Sequence, residues 1–200
     1  MAHYFSAEPE AAHQRRTITV PLAGESRQVV TDSGVFSPGH LDVGTAQLLR
    51  HASDLPATGT FVDLGCGWGP IALDMALQRP EANVVAVDIN SRALALTAEN
   101  ARALGVEITT LDAVTAPSDP RVAQIDVLRS NPPIRIGKQA LHELLTTWLP
   151  RLAPAGIAEL VVAKNLGADS LAGWISSELG LDCRKVASRK GFRILQVRAC

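Results

Sequence analysis

From residue 61 onward, short apolar runs alternate with longer amphipathic stretches. FVDL, NVVAVD, VEITTLD, IDVLRS, AELVVA, LDCRKV and FRILQVR read as strands, because each is a short apolar run set between polar or turn-forming segments. PIALDMALQR, SRALALTAENARALG, KQALHELLTTWL and GADSLAGWISSELG read as helices, with apolar residues returning at three- and four-residue spacing. Pro70 stands at a favoured first helical position, Ser91 reads as the N-cap of its helix, and Gly105 lies near that helix's stop. The alternation predicts an α/β fold, doubly wound, with a mostly parallel seven-stranded sheet covered on both faces. Only ASRKG joins the last two strands, which is too short for a crossover, so an antiparallel strand is expected near one edge. Upstream, TITV and QVV about Gly24 predict a β-hairpin over residues 17–31, and LDVGTAQLLRHA predicts a helix capped by Asp42.

The length, 200 residues, suits a single domain, with residues 1–33 as an extension bearing the hairpin and 34–200 as the core. With 46% hydrophobic and 20% charged residues, composition is that of a soluble globular protein. No apolar run is long enough to span a membrane, and Glu8 and Glu10 argue against a secretory signal. Three cysteines, Cys66, Cys183 and Cys200, show neither paired nor metal-like spacing, so a reduced, cytoplasmic setting is expected. Net charge is −1, but its distribution is uneven: residues 1–120 hold 7 Lys/Arg and 14 Asp/Glu, residues 121–200 hold 12 and 6. Such asymmetry marks a candidate polyanion-facing surface.

The chemistry-bearing segments sit at strand ends. VDLGCGWG, residues 62–69, joins a strand to a helix, and its glycines allow a tight turn and close approach of a ligand to the helix N-terminus. The spacing is G-x-G-x-G with Asp63 two residues before it, and Pro70 stands where a dinucleotide fingerprint would have its third glycine. Asp88 ends the second strand of the series, suitably placed for ribose hydroxyls, and Asp112 ends the third, within reach of an adenine amino group. In SNPPIRIGK the prolines halt the fourth strand and hold Asn131 extended. By itself that is a turn signal. No His/Cys set has zinc spacing and no Ser/His/Asp set has a nucleophile-elbow context.

DLGCGWG, AVDIN and SNPPI, in this order, resemble a class I S-adenosylmethionine-dependent methyltransferase. Together with GVFSPGHLDVGTAQLL they resemble the methyltransferase small domain of bacterial 16S ribosomal RNA guanine-N2 methyltransferases, over about Gly34 to Val197. The resemblance implies a Rossmann-like fold, S-adenosyl-L-methionine as cofactor and RNA, ribosomal RNA or a ribosomal subunit, as partner. The resemblance is to larger enzymes that carry an additional N-terminal domain, and with 200 residues this chain is expected to lack it. By resemblance, Asp63, Gly65, Cys66 and Gly67 line the methionine part of the cofactor, with Thr45 nearby. Asp88 and Ile89 serve the ribose, Asp112 and Ala113 the adenine, and Asn131 borders the cofactor. The Asn131 side-chain oxygen and the Pro132 carbonyl would accept the two hydrogens of an exocyclic amine. Phe36, Pro133, Ile134, Arg135 and Lys138 would meet the substrate. Two departures stand out: Ile134 occupies the usual aromatic position, and Arg129 interrupts an apolar strand, either facing substrate or pairing with an acid. Trp68 is a further candidate for stacking, and the C-terminal Arg184, Lys185, Arg189, Lys190, Arg193 and Arg198 for phosphate contact. A protein glutamine amide or small-molecule nitrogen remains an alternative acceptor, and a catalytically silent RNA-binding module an alternative function.

Overall fold

The computed structural model describes residues 11–133 and 137–199. Strands β1 (Arg16–Leu22) and β2 (Glu25–Thr31) form the expected hairpin. The main sheet comprises β3 (Thr60–Leu64), β4 (Asn83–Asp88), β5 (Thr109–Asp112), β6 (Ile125–Ser130), β7 (Leu152–Ala163), β8 (Asp182–Arg189) and β9 (Phe192–Arg198). Its spatial order is β5-β4-β3-β6-β7-β9-β8. All pairings from β5 through β7 are parallel, while β9 runs antiparallel to both β7 and β8. This is the Rossmann-like, doubly wound arrangement expected, with the antiparallel strand one place in from the edge. No helix among the described residues is long and apolar enough to cross a membrane.

Helices α1 (Val43–His51), α2 (Pro70–Gln78), α3 (Ser91–Leu104), α4 (Lys138–Trp148) and α5 (Ala168–Leu179) cover the sheet. Side-chain alternation along the strands divides the core in two. Phe61, Val127 and Val161 pack with Leu48 of α1 and Ile71 and Met75 of α2. Val62, Leu128 and Leu160 pack on the other face with Leu145 and Trp148 of α4 and Ile175 of α5. A third cluster joins the hairpin, through Val20, Leu22 and Val29, to Trp68, Leu73 and Leu96. The hairpin thus covers the outside of α2 and α3. Asn100 of α3 seals it, accepting from Val30 N at 2.7 Å and donating to Val30 O at 2.9 Å.

Several boundaries differ from the sequence reading. Strand β7 runs to 12 residues because Leu152–Ile157 continues the extended chain ahead of AELVVA. Strand β8 continues to Arg189, leaving a turn at Lys190 and Gly191. Strand β5 begins only at Thr109, since Val106 and Ile108 pack among the helices on one face. Asn90, not Ser91, caps α3: its side-chain oxygen accepts from Arg92 N at 3.0 Å and Ala93 N at 3.3 Å, leaving Ser91 as the first helical residue.

Arg129 pairs with an acid. It lies opposite Glu159 of β7, and its Nε donates to Glu159 Oε2 at 3.0 Å, both side chains being buried. Arg129 Nη2 also donates to Ser53 O at 2.6 Å, while Glu159 Oε1 accepts from Ser53 N at 2.7 Å. The pair anchors β6 two residues before Asn131. Removing one partner strands the other charge in the core. Arg129→Met is therefore expected to lower unfolding free energy by about 3–5 kcal/mol, with Arg129→Met/Glu159→Met regaining most of the loss. Urea titrations of the three proteins check this, and a single variant as stable as wild type would contradict it.

Candidate active site

A narrow crevice opens where β3 and β6 part at their carboxyl ends. After β3 the chain turns through Gly65, Gly67 and Gly69 at φ of 79°, 57° and 93° before Pro70 starts α2. Gly65 N and Cys66 N donate to Val87 O at 2.8 and 3.0 Å, pinning the loop to β4. The glycines serve different needs. A Cβ on Gly69 would stand 2.8 Å from Thr97 Oγ1, so close packing excludes it. On Gly65 or Gly67 it would meet nothing nearer than Pro133 Cδ at 3.9 Å or Phe36 Cβ at 4.0 Å. These two keep the backbone open to a visitor.

Asp63 lies fully buried beneath the loop. Its Oδ2 accepts from Ala72 N, a first-turn amide of α2, at 2.9 Å, whereas the buried Oδ1 has no hydrogen-bond partner among the described residues. Burial pushes its pKa up to about 8; the Ala72 amide opposes the rise and the Asp88 charge adds to it. Asp88 accepts from Gly67 N and Asn90 N, both at 2.9 Å, and burial raises its pKa too. Asp112 stands directly across from Asp88 in the β4–β5 register and accepts from Val114 N at 2.9 Å. Ala113 N donates to Asp88 O at 3.0 Å, and Ile89 and Val114 expose apolar surface on the same rim. The buried Cys66 thiol sits 3.5 Å from Thr97 Oγ1, and burial drives its pKa well up, away from nucleophilic use.

Across the crevice, Ser130 Oγ donates to Leu64 O at 2.6 Å and ties the end of β6 to β3. Asn131 follows, half-buried, with Nδ2 donating to Asp42 Oδ2 at 2.9 Å and Thr45 Oγ1 at 3.0 Å. Pro132 is buried and Pro133 half-buried beside Gly65. The two aromatic candidates separate. Both border the crevice, but Phe36 is 46% exposed, whereas Trp68 is 2% exposed, donates Nε1 to Ser37 O at 3.3 Å and packs in the core under the hairpin.

Phe36, Thr45, Gly65, Cys66, Gly67 and Asn131 therefore share one crevice. Asp88, Ile89, Asp112 and Ala113 extend its rim along β4 and β5. Ile134 and Arg135 lie outside the described residues. Lys138 stands apart, with His142 and Trp174, in a broad open depression between α4 and α5; the two rings stack 3.6 Å apart. That depression is the larger concavity but contains none of the strand-end acids or glycines. Of the C-terminal bases, Arg184 pairs with Asp182 and Arg193 with Asp169, while Lys185, Arg189 and Lys190 are exposed. Asp42 was legible only as a cap; its second contact, with a residue 89 positions on, has no local signal.

The raised Asp63 pKa has a definite pH signature. Between its ordinary value near 3.8 and about 8, the folded protein holds a proton that the unfolded chain has released. Stability must then fall as pH rises through that window, by up to about 1.4 kcal/mol per pH unit from this group. Asp63→Asn removes the contribution. Urea midpoints at pH 5 and pH 8 should therefore diverge less for the variant than for wild type, and equal pH dependence would contradict the assignment.

The chain is similar in sequence and in fold to known proteins. The family model described as "Methyltransferase small domain" matches residues 26–196. A Bacillus subtilis relative, "Uncharacterized protein YbxB", is 29% identical over 98% of each chain. "Ribosomal RNA small subunit methyltransferase C" of Pseudomonas paraeruginosa is 33% identical over 96% of this chain and 57% of its own length. The Thermus thermophilus 16S rRNA N2 G1207 methyltransferase, solved with AdoMet and guanosine, superposes with a TM-score of 0.79 at 19% identity, over 93% of this chain and 51% of its own. The chain thus spans about half the length of these ribosomal RNA methyltransferases. With its glycine loop, strand-end acids and Asn-Pro-Pro segment in the matched region, the chain belongs to the methyltransferase small domain family.

Proposed function

We propose that this chain transfers a methyl group from S-adenosyl-L-methionine to a nitrogen, the exocyclic N2 of guanine in ribosomal RNA. The observation that carries the reading is Asn131, fixed at the end of β6 beside an open glycine crevice. The residues present suit the cofactor. The buried, partnerless Asp63 Oδ1 is a fitting acceptor for its ammonium group, and Gly65 and Gly67 leave the backbone bare for its methionine part. Asp88 would hold the ribose hydroxyls, and Asp112 the adenine amino group, with Ile89 and Ala113 packing alongside.

When bound, the cofactor supplies a sulfonium methyl as electrophile. An exocyclic amine is a weak nucleophile because its lone pair is delocalised into the ring. Asn131 Oδ1 and the Pro132 carbonyl accept its two hydrogens, turn the lone pair toward the methyl and stabilise positive charge growing on nitrogen. Positioning supplies much of the rate and no strong general base is required. Phe36 offers an exposed ring for the base, with Pro133 beside the glycine loop, Ile134 and Arg135 next in sequence, and Lys138 further off as a contact for a more distant part of the substrate. Lys185, Arg189 and Lys190 provide exposed positive charge for phosphates. We read residues 34–200 as the catalytic unit with 1–33 as its extension. The cytoplasm, where ribosomes are substrates, suits the free thiols of Cys66 and Cys183.

The test is transfer of labelled methyl to transfer RNA, naked ribosomal RNA and intact small and large subunits, with products identified as nucleosides. Label in N2-methylguanosine from a ribosomal substrate is expected. Asn131→Ala should lower turnover by about 100-fold or more while cofactor affinity stays within about twofold. Asp88→Ala should instead weaken cofactor binding. Label in no RNA, with cofactor binding intact, would refute the nucleic-acid target and shift the acceptor to a protein glutamine amide or small-molecule nitrogen, for which the aliphatic Ile134 would be the first clue.

A further inference from the structure

We propose that Asp42 is a positioning residue that holds the Asn131 amide with its oxygen toward the crevice. This role rests on the methyl-transfer reading above. A carboxamide has nearly the same shape either way round, and a half-turn exchanges its oxygen for its NH2. The two orientations have opposite chemistry. Oxygen toward the crevice accepts an amine hydrogen, whereas NH2 toward it would repel one. Only the surroundings of the amide decide between them.

Here they decide through acceptors. An ionised carboxylate accepts and cannot donate. Asp42 Oδ2 receives Asn131 Nδ2 at 2.9 Å, and Thr45 Oγ1 receives the same nitrogen at 3.0 Å, so both amide hydrogens are already taken by groups of the crevice wall. A flipped amide would set its oxygen against the carboxylate with no proton between them. Asn131 Oδ1 makes no hydrogen bond among the described residues and is left for substrate.

The clamp is itself held. Asp42 Oδ2 also accepts Thr45 N at 3.0 Å as the N-cap of α1. Thr45 is buried, so its hydroxyl has little freedom. Gly44 leaves room between them: a Cβ there would stand 3.0 Å from Asp42 Oδ2 and 2.9 Å from Phe192 Cε1. Asp42, Gly44 and Thr45 thus form a rigid first turn that reaches from α1 to the end of β6.

The discriminating variant is Asp42→Asn. Asparagine caps a helix as well as aspartate does, so a capping role alone predicts an unchanged enzyme. An amide at 42 offers oxygen or NH2 to Asn131 and no longer selects one orientation. Turnover should fall about 10–100-fold, with KM for S-adenosyl-L-methionine within about twofold. Added to Asn131→Ala, the same change should cost nothing more, because the group it positions is already gone. A readout independent of activity is the Asn131 side-chain amide signal in 15N-labelled protein, identified by its loss in Asn131→Ala. It should be slow to exchange in wild type and faster, or doubled, in Asp42→Asn. Unchanged turnover with an unchanged amide signal, or losses that add in the double variant, would overturn the role. If wild type methylates nothing, the methyl-transfer reading fails, and the amide signal still decides whether Asp42 fixes Asn131.

Discussion

The pairing of β3 with β6 is the constraint on which the rest depends. These neighbours run parallel, with Asp63 opposite Arg129. The chain leaves β3 for α2 on one face and leaves β6 toward α4 on the other. The two exits diverge and open a crevice between them, the usual ligand position in doubly wound sheets. Strand-end chemistry from both sides then meets across a single strand spacing. The Ser130 to Leu64 bond fixes that meeting at the last residues of the pair.

Backbone amides shape the crevice as much as side chains do. Asp63 takes an amide from the start of α2, and Asp88 takes amides from the glycine loop and from Asn90. Each carboxylate is oriented before any ligand arrives, which lowers the cost of ordering on binding. The loop does not stand alone. Thr97 Oγ1 donates to Gly67 O at 3.1 Å, and Asn90 Nδ2 to Gly34 O at 2.7 Å, so α3 links the glycine loop to the segment carrying Phe36. Helix α1 completes the enclosure by bringing Asp42 and Thr45 to Asn131. The acidic half of the chain thus builds most of the crevice, and the basic half contributes Asn131 and the exposed cations beyond it.

Sequence patterning recovered the strands and helices because burial on two faces imposes distinct periods on them. The glycine loop and the strand-end acids were equally legible, since both depend on local spacing. What escaped was long-range or one residue off. Asn90 outcompeted Ser91 as a cap because its longer side chain reaches two amides at once. The apolar half of β7 was hidden by Pro154 and Gly156, which normally signal a turn. Trp68 and Phe36 looked alike in sequence, and only the hairpin packed over α2 and α3 separates a core ring from an exposed one. Arg129 could be read either way until its register partner, Glu159, was known. Asp42 announced its cap and concealed its contact with Asn131 for the same reason: no local pattern reports a partner 89 residues away.

The most direct measurement is a calorimetric titration of the purified chain with S-adenosyl-L-methionine near pH 7, in two buffers of different ionisation enthalpy. Saturable binding is predicted, with a heat that depends on the buffer: burial raises the Asp63 pKa to about 8, and in the proposed docking of the cofactor's ammonium group against its carboxylate that proton is released. Asp63→Asn should bind more weakly, and its heat should depend less on the buffer. Absence of saturable binding would contradict the account of the crevice as a cofactor site, and binding with the same heat in both buffers would contradict the place given to Asp63 within it.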